Sequence, residues 1–241
     1  METWGAGTTL GAMQDQGSKE GRTKRARILR ALAAVPLACF AVVAAAQPIA
    51  LAPADMLAGK PKAFSGETRY ELTRVNGRDA VWASCDASAS GLVLERRIDL
   101  RKTPIIEWSW GVAAAFDTVV DERRKAGDDY PARLYFVHDG GFPPWRTRAI
   151  NYVWASHMPV GTDWPNAYLP QSRVVAVQSG RPDLSMPWVM QRRNLRVDFQ
   201  RYFDVEVDFI DAVAIMTDCD DRAEMADAWY GTVRFLPEGG E

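Results

Sequence analysis

Histidine and cysteine are scarce in this chain of 241 residues, which contains two histidines and three cysteines. His138 and His157 stand apart, and neither belongs to an HExxH spacing or to a nucleophile-elbow sequence. A zinc site of clustered histidines and a conventional serine hydrolase site are therefore not indicated. A glycine-rich phosphate loop is also missing, because "VHDGGFPPW" reads as a turn with two prolines.

An excess of basic charge is missing as well. The 29 Lys and Arg residues and the 31 Asp and Glu residues give a formal net charge of −2. Nucleic-acid binding requires clustered basic side chains that neutralise phosphates. We therefore expect no nucleic-acid partner.

The longest apolar stretch is too short to span a bilayer, which needs about 20 residues. It runs without charge from Ala31 to Ala46, contains Pro36, follows a basic cluster at residues 24–30 and ends in small residues. This pattern is typical of a secretory signal peptide, here with an N-terminal extension, over residues 1–46. We expect a periplasmic or secreted protein with no stable membrane span after cleavage.

The remaining chain reads as a linker over residues 47–62 followed by one domain over residues 63–237. A domain of this size has room for a real core. Cys85 and Cys219 are the two cysteines left after the expected cleavage. An even number of cysteines in an exported chain favours a disulfide, and two buried free thiols are the alternative.

Strand signals recur throughout the expected domain. In "YELTRVNGRDAVWAS", Asn76 and Gly77 separate two alternating runs, as in a two-residue hairpin whose positive φ angles these residues tolerate. About nine short strands separated by Gly, Pro and Asn indicate an all-β fold. We predict a β-sandwich with short peripheral helices.

Charge is concentrated directly before one predicted strand. "KAGDDYPARLYFV" sets Lys125, Asp128 and Asp129 before an alternating segment that contains Arg133 and Tyr135. The alternation places Arg133 and Tyr135 on the face opposite the apolar residues, where they could bind a ligand. In the favoured interpretation, Asp128 or Asp129 pairs with Arg133 and orders the loop, and ligand recognition is the second interpretation.

Aromatic residues in irregular segments indicate carbohydrate recognition. "GTDWPNAYLPQSR" presents Trp164, Asn166 and Tyr168 in a proline-containing segment that ends at Arg173. Sugar rings stack on aromatic faces, and their hydroxyls bond planar polar groups. Trp145 and Trp164, both next to prolines, are expected to be exposed. The tryptophans expected in the core are Trp108, Trp110 and Trp154.

The segment "MTDCDD" invites comparison with a calcium site. Asp218, Asp220 and Asp221 offer hard oxygen ligands, but the glycine and the closing glutamate of an EF-hand loop are missing. A solvated acidic loop is the favoured interpretation. We expect no cofactor and leave a structural calcium ion open.

Four ordered motifs resemble the bacterial family called domain of unknown function 3047. They are "KAGDDYPARLYFV", "SRVVAVQSG", "WVMQRRNLRVDFQRYF" and "AVAIMTDCDD...AWYGTVRF". The resemblance implies an exported β-sandwich similar to galactose-binding-like jelly rolls, with no established activity. Where members often carry an acid, this chain has Gln191, Asn194 and Thr232, so the resemblance carries no acid chemistry to those positions.

These observations favour an exported module that binds a carbohydrate or another small envelope ligand. The runner-up is a polysaccharide-degrading enzyme, either a hydrolase or a lyase, and the third candidate is an envelope protein-interaction module. Catalysis is the less favoured reading because no histidine stands in a catalytic spacing. The expected ligand-binding residues are Lys125, Asp128, Asp129, Arg133, Tyr135, Trp164, Asn166, Arg173, Arg193 and Asp218.

Overall fold

The computed structural model describes residues 46–240. The predicted signal peptide lies outside the described residues apart from Ala46. Within the described part, no helix is both long enough and apolar enough to cross a membrane.

Strands make up about half of the described chain and form two sheets. In chain order they are β1 (Ile49–Leu51), β2 (Lys60–Ser65), β3 (Arg69–Val75), β4 (Arg78–Asp86), β5 (Ala89–Asp99), β6 (Ile105–Val112), β7 (Ala132–His138), β8 (Arg148–Ala155), β9 (Asp163–Pro165), β10 (Ser172–Ser179), β11 (Val189–Asn194), β12 (Phe209–Asp218) and β13 (Met225–Leu236). Two short α-helices, α1 (Pro53–Leu57) and α2 (Leu195–Phe203), lie at the periphery.

The strand order places β12 and β7 side by side near the middle of the larger sheet. The seven-stranded sheet has the order β2-β5-β12-β7-β8-β10-β9. The six-stranded sheet has the order β11-β6-β13-β4-β3, with β1 paired to β13. All pairs are antiparallel except β8 with β10. The predicted all-β, jelly-roll-like sandwich with short peripheral helices is confirmed.

One hydrophobic core fills the space between the sheets, because alternate residues of each strand point inward. Trp108 and Trp110 of β6 and Trp154 of β8 are buried there, as predicted. Trp108 stacks on Tyr152 with ring centroids 5.2 Å apart. Large aromatic rings from both sheets therefore set the spacing of the sandwich.

The predicted hairpin is present between β3 and β4. Asn76 and Gly77 adopt φ angles of 48° and 75°. Two consecutive positive φ angles belong to the turn whose twist matches that of the flanking strands. The Asn-Gly pair therefore fixes the register in which Val75 lies opposite Arg78.

The segment expected as a linker, residues 47–62, is built into the domain. It contains β1, α1 and the start of β2. The first of these strands pairs with β13 and the last pairs with β5, so the segment adds a strand to each sheet. Its short strands lack strong alternation, which is why their pairing could not be read from the sequence.

A disulfide joins the two sheets at one end of the sandwich. Cys85, near the end of β4, is bonded to Cys219, which directly follows β12, and their Cα atoms lie 6.3 Å apart. The structure thus contains the predicted bond. The bond therefore fixes the position of the chain directly after Asp218.

Removal of this disulfide is expected to destabilise the domain. The bond spans a sequence separation of 134 residues, and in the chain-entropy model a loop this long corresponds to about 5 kcal/mol. We expect the double variant Cys85→Ser, Cys219→Ser to lose about 3 to 5 kcal/mol of unfolding free energy, measured by urea denaturation. Reductant should lower the stability of the wild type and leave the variant unchanged. Equal stability of the wild type with and without reductant would contradict the prediction.

Candidate functional site

A groove of about 870 Å³ lies on the outer face of the seven-stranded sheet. Strands β5, β12 and β7 form its floor, because the residues that alternate with the core positions of these strands point outward. Much of the floor is apolar, and it includes Val93, Ala214, Met216, Tyr135 and Val137. One wall is the edge strand β2, and the opposite wall is the loop after β9.

A glycine keeps part of the floor open. A Cβ atom at Gly91 would lie 2.8 Å from the carbonyl oxygen of Ile215 and 3.3 Å from the Cβ of Met216. Such distances leave no room for a side chain, so β5 and β12 approach closely only because position 91 is glycine. No side chain therefore rises from the floor at this position.

Arg133 lies at one end of the floor and is only 2% exposed. Its Nη1 donates to Oδ2 of Asp218 and, over 3.1 Å, to the carbonyl oxygen of Asp128. Its Nη2 lies 3.6 Å from Oδ1 of Asp128. A charge buried this deeply requires paired and hydrogen-bonded partners, and Arg133 has both.

The remaining donors of Arg133 face an amide from the neighbouring strand. In the orientation that satisfies its neighbours, the Asn151 oxygen accepts from Nη2 at 2.8 Å and from Nε at 3.1 Å. The guanidinium also lies 4.7 Å from the ring centroid of Tyr130 and 5.4 Å from that of Tyr135. The planar guanidinium is thereby fixed in position from several sides.

The favoured interpretation of the charged segment, loop ordering, is confirmed for Asp128. The other aspartate, Asp129, does not pair with Arg133. Its two carboxylate oxygens accept the backbone N–H groups of Asp221 at 3.3 Å and Arg222 at 2.6 Å. Asp129 therefore holds the loop after β12, while the Arg133 pairs hold the loop before β7.

Burial dominates the acid–base properties of these carboxylates. Burial raises the pKa of Asp128, and it raises the pKa of Asp218 with help from neighbouring carboxylates, although Arg133 lowers both. Burial raises the pKa of Asp129 to about 6. Desolvation disfavours the charged form of each group, and the guanidinium offsets part of that cost.

The acidic residues at the end of β12 and directly after it form two groups. Asp218 points into the Arg133 pair, whereas carboxylate oxygens of Asp129, Asp220 and Asp221 lie within 4.8 Å of one another. These oxygens are of the type that calcium prefers. Both oxygens of Asp129 already accept backbone hydrogen bonds, so the cluster has a role in ordering the loop without a cation.

The rim of the groove beside this end carries several predicted residues. Asn166 donates to both carboxylate oxygens of Asp128, at 2.9 and 3.2 Å. The hydroxyl of Tyr168 lies 2.9 Å from Asp221, and the Lys125 ammonium lies 4.8 Å from the Tyr168 ring centroid. The structure thus brings Asp128, Arg133, Tyr135, Asn166 and Asp218 together in the groove and places Lys125 at its rim.

Trp164 lies beneath the surface of the wall. It is 3% exposed and packs against Tyr130 with centroids 6.4 Å apart, so the expectation that it is exposed is wrong. Its neighbouring proline marks the end of the short strand β9, which pairs with β10 and turns the ring inward. Trp145 is 67% exposed, as predicted, but it does not line the groove.

Two predicted arginines lie away from the groove. Arg173 pairs with Asp163 across the β9–β10 contact, with an Nη2–Oδ2 distance of 2.5 Å. Arg193 donates to both oxygens of Asp198 at the start of α2, and the same carboxylate accepts the Tyr152 hydroxyl. Each arginine therefore has a carboxylate partner outside the groove.

The positions that depart from the family pattern also have structural roles. Gln191 donates to the carbonyl oxygen of Val177, and the Asn194 side chain caps α2 by accepting from Val197. Thr232 lines a second, smaller cavity on the other sheet.

Sequence reasoning missed several residues of the groove. Lys62 was assigned to the linker and Phe64 to no predicted strand, and Tyr168 was not among the expected ligand-binding residues, although it stands in the aromatic segment. The alternation in "AVAIMTD" placed Ala214, Met216 and Asp218 on one face and could have identified the floor. The position of β2 as an edge strand had no comparable signal.

The chain matches a family described as "Protein of unknown function (DUF3047)" over residues 60–234, which agrees with the resemblance seen in the motifs. No curated protein matches the chain significantly.

Several solved structures are similar to the domain. A family 11 carbohydrate-binding module from Clostridium thermocellum is 8% identical, with 73% of this chain and 88% of that chain covered and a TM-score of 0.38. A cellulase derived from Cel12A of Rhodothermus marinus is 9% identical, with 77% and 99% covered and a TM-score of 0.39.

The glycoside hydrolase domain of Endo-D from Streptococcus pneumoniae is 10% identical and has a TM-score of 0.35. The similarity covers 73% of this chain but spans only 21% of that chain. Likeness at this level bears on neither the ligand nor the chemistry of the groove.

Replacement of Arg133 is expected to destabilise the domain strongly. Arg133→Met leaves Asp128 and Asp218 buried without their cation, and breaking a buried pair in this way costs about 3 to 5 kcal/mol. Urea denaturation at pH 7 should show this loss. The matched control Arg96→Met removes an exposed arginine and should change stability by less than about 0.5 kcal/mol.

The loss of unfolding free energy in Arg133→Met should be smaller at pH 5 than at pH 7. Arg133 lowers the pKa values of both carboxylates, so its removal raises them further above their unfolded values. A group with a raised folded pKa takes up a proton on folding, and its destabilising effect fades as the pH falls. If Arg133→Met loses no more unfolding free energy at pH 7 than the control Arg96→Met, the assigned role of Arg133 is contradicted.

Proposed function

The chain belongs to the DUF3047 family of proteins of unknown function, and from this starting point we propose that it is a binding module for a glycan or another small ligand of the cell envelope. The observation that carries the proposal is the groove of about 870 Å³ on the seven-stranded sheet. Ligand sites typically combine a concave, mostly apolar lining with a few polar groups that converge. The groove has this composition.

Aromatic rings stand on both walls of the groove. Phe64 of β2 is 67% exposed, and Tyr168 of the opposite loop is 54% exposed. The floor between them is formed by Ala214 and Met216. The C–H faces of a sugar ring pack well on such surfaces, and a chain of sugars could contact both walls in turn.

Polar groups gather at the Arg133 end of the groove. Asp220 and Asp221 offer carboxylate acceptors, and Lys125 offers a donor at the rim. Sugar hydroxyls both donate and accept hydrogen bonds, so a mixed set of this kind suits them. The combination favours a polyhydroxylated ligand over a purely apolar one.

The same geometry supports binding better than catalysis. A general acid or base must exchange a proton with the ligand. Asp128 and Asp218, the buried carboxylates that line the groove, are already bonded to Arg133, and Asp128 also accepts from Asn166. We therefore rank the polysaccharide-degrading enzyme second, and the protein-interaction module third because the surface is a groove between two walls and not a flat face.

The proposal includes action outside the cytoplasm. The disulfide between Cys85 and Cys219 is of a kind that persists in oxidising compartments. The basic, apolar and small-residue zones of residues 24–46 support the same location.

Expression of the full chain in a bacterial host with a secretion pathway tests the location. We expect the mature protein to begin near Gln47, because the small residues before it suit signal peptidase. N-terminal sequencing of protein from the periplasm or medium measures this directly. Recovery of the intact N terminus with residues 24–46 retained would contradict the proposal.

Glycan-array screening followed by calorimetry tests the binding function. We expect the purified domain to bind a glycan. Tyr168→Ala or Phe64→Ala should weaken the binding free energy by about 1 to 3 kcal/mol, because each variant removes a ring that stacks on the sugar. Trp145→Ala is the matched control, because it removes an aromatic ring that is exposed outside the groove. Its affinity should equal that of the wild type.

Two results would decide against the proposal. Release of glycan fragments during incubation, abolished by Asp128→Asn or Asp221→Asn, would favour the enzyme. Binding that survives Tyr168→Ala and Phe64→Ala but is lost in Trp145→Ala would place the ligand outside the groove.

A further inference from the structure

A second cavity, of about 250 Å³, lies on the outer face of the six-stranded sheet, on the other sheet from the groove. Residues of β4, β6 and β13 line it. Its volume is below the roughly 300 to 1,000 Å³ of sites for drug-sized ligands. The cavity therefore suits a single small functional group with the atoms next to it.

A β-bulge creates this cavity. The register of β13 against β6 shifts between Tyr230 and Val233, so Gly231 and Thr232 have no paired residue on β6, β4 or β1. A Cβ atom at Gly231 would lie 2.4 Å from the Ser109 hydroxyl oxygen. The glycine thus admits the Ser109 hydroxyl, and bulges of this type often re-aim side chains at functional sites.

Arg78 is held in place at the cavity. Its Nη2 donates to the Ser109 hydroxyl at 2.9 Å, and its guanidinium carbon lies 4.4 Å from the Trp188 ring centroid. A stacked guanidinium loses little conformational freedom when it binds a further partner. Its remaining N–H groups are therefore oriented in advance.

The two carboxylates that line the cavity form ion pairs with arginines outside its lining. Asp79 pairs with Arg74 at 3.0 Å, and Glu107 pairs with Arg192. Among the described residues, neither Arg78 nor Arg234 lies within ion-pair distance of a carboxylate, although Arg234 stands directly across from Glu107 in the register of β6 and β13. With the partner arginines Arg74 and Arg192 included, four arginines face two carboxylates. The cavity and its immediate partners therefore carry a net positive charge.

We infer that this cavity binds an oxyanion, namely a carboxylate, sulfate or phosphate group, between Arg78 and Arg234. The guanidinium groups match the geometry of such oxygens, and the Ser109 and Thr232 hydroxyls add neutral donors. The group belongs either to an acidic saccharide or to a free inorganic anion, and both present the same oxygens. The site is independent of the groove and of its ligand.

Titration of the folded protein with sodium sulfate, sodium phosphate and sodium glucuronate tests the inference, with chloride holding the ionic strength constant. Binding should be saturable and should change tryptophan fluorescence, because Trp188 contacts Arg78. Arg234→Gln and Arg78→Gln should each weaken binding by about tenfold, through loss of a charge-assisted hydrogen bond. Tighter binding of glucuronate would identify a saccharide, and tighter binding of sulfate or phosphate a free anion.

Two controls separate this site from the rest of the molecule. Arg96→Gln removes an exposed arginine of the other sheet, and Tyr168→Ala alters the groove, so both should leave anion affinity unchanged. The inference is overturned if no anion binds saturably at constant ionic strength. It is also overturned if the double variant Arg78→Gln, Arg234→Gln binds as tightly as the wild type while its thermal unfolding shows that it is folded.

Discussion

The buried guanidinium of Arg133 is the contact that ties the floor of the groove to its wall. Asp218 at the end of β12, Asp128 before β7 and Asn151 on β8 all bond it. Asp128 in turn accepts from Asn166 in the wall. Burying this charge costs free energy unless Asp218, Asp128 and Asn151 are all in place. The guanidinium therefore favours the one arrangement of the surrounding loops that supplies them. The side chains at this end of the groove are therefore held in fixed positions by their partners within the protein.

Other constraints act at the same end of the sandwich. The Glu122 carboxylate accepts the backbone N–H groups of Ser156 and Met158 and lies 3.5 Å from Arg222. The disulfide anchors Cys219 directly after the Arg133 partner. A preordered wall lowers the entropy cost of binding, whereas the opposite wall, β2, is an exposed edge strand. The groove thus combines one wall held by the Arg133 cluster with one wall whose residues are exposed to solvent.

Local sequence patterns predicted the features that depend on neighbouring residues. Alternation placed Tyr135 on the outer face, and the Asn76-Gly77 turn set a hairpin. The burial of Arg133 depends on a carboxylate 85 positions later, which no local pattern reveals. Trp164 was assigned wrongly because its proline indicated a loop, whereas Tyr130 and the β9–β10 pairing enclose the ring. Tertiary pairing, rather than propensity, decided these positions.

Hydrogen exchange followed by mass spectrometry on Arg133→Met tests the central claim most directly. If one guanidinium orders the whole end of the groove, exchange should accelerate together in residues 125–131, 166–172 and 217–222, and by more than the general increase that the loss of global stability causes in β4. Segments that share one cooperative opening respond as a unit. Faster exchange confined to the immediate neighbours of position 133, with the 166–172 wall unchanged, would contradict the account.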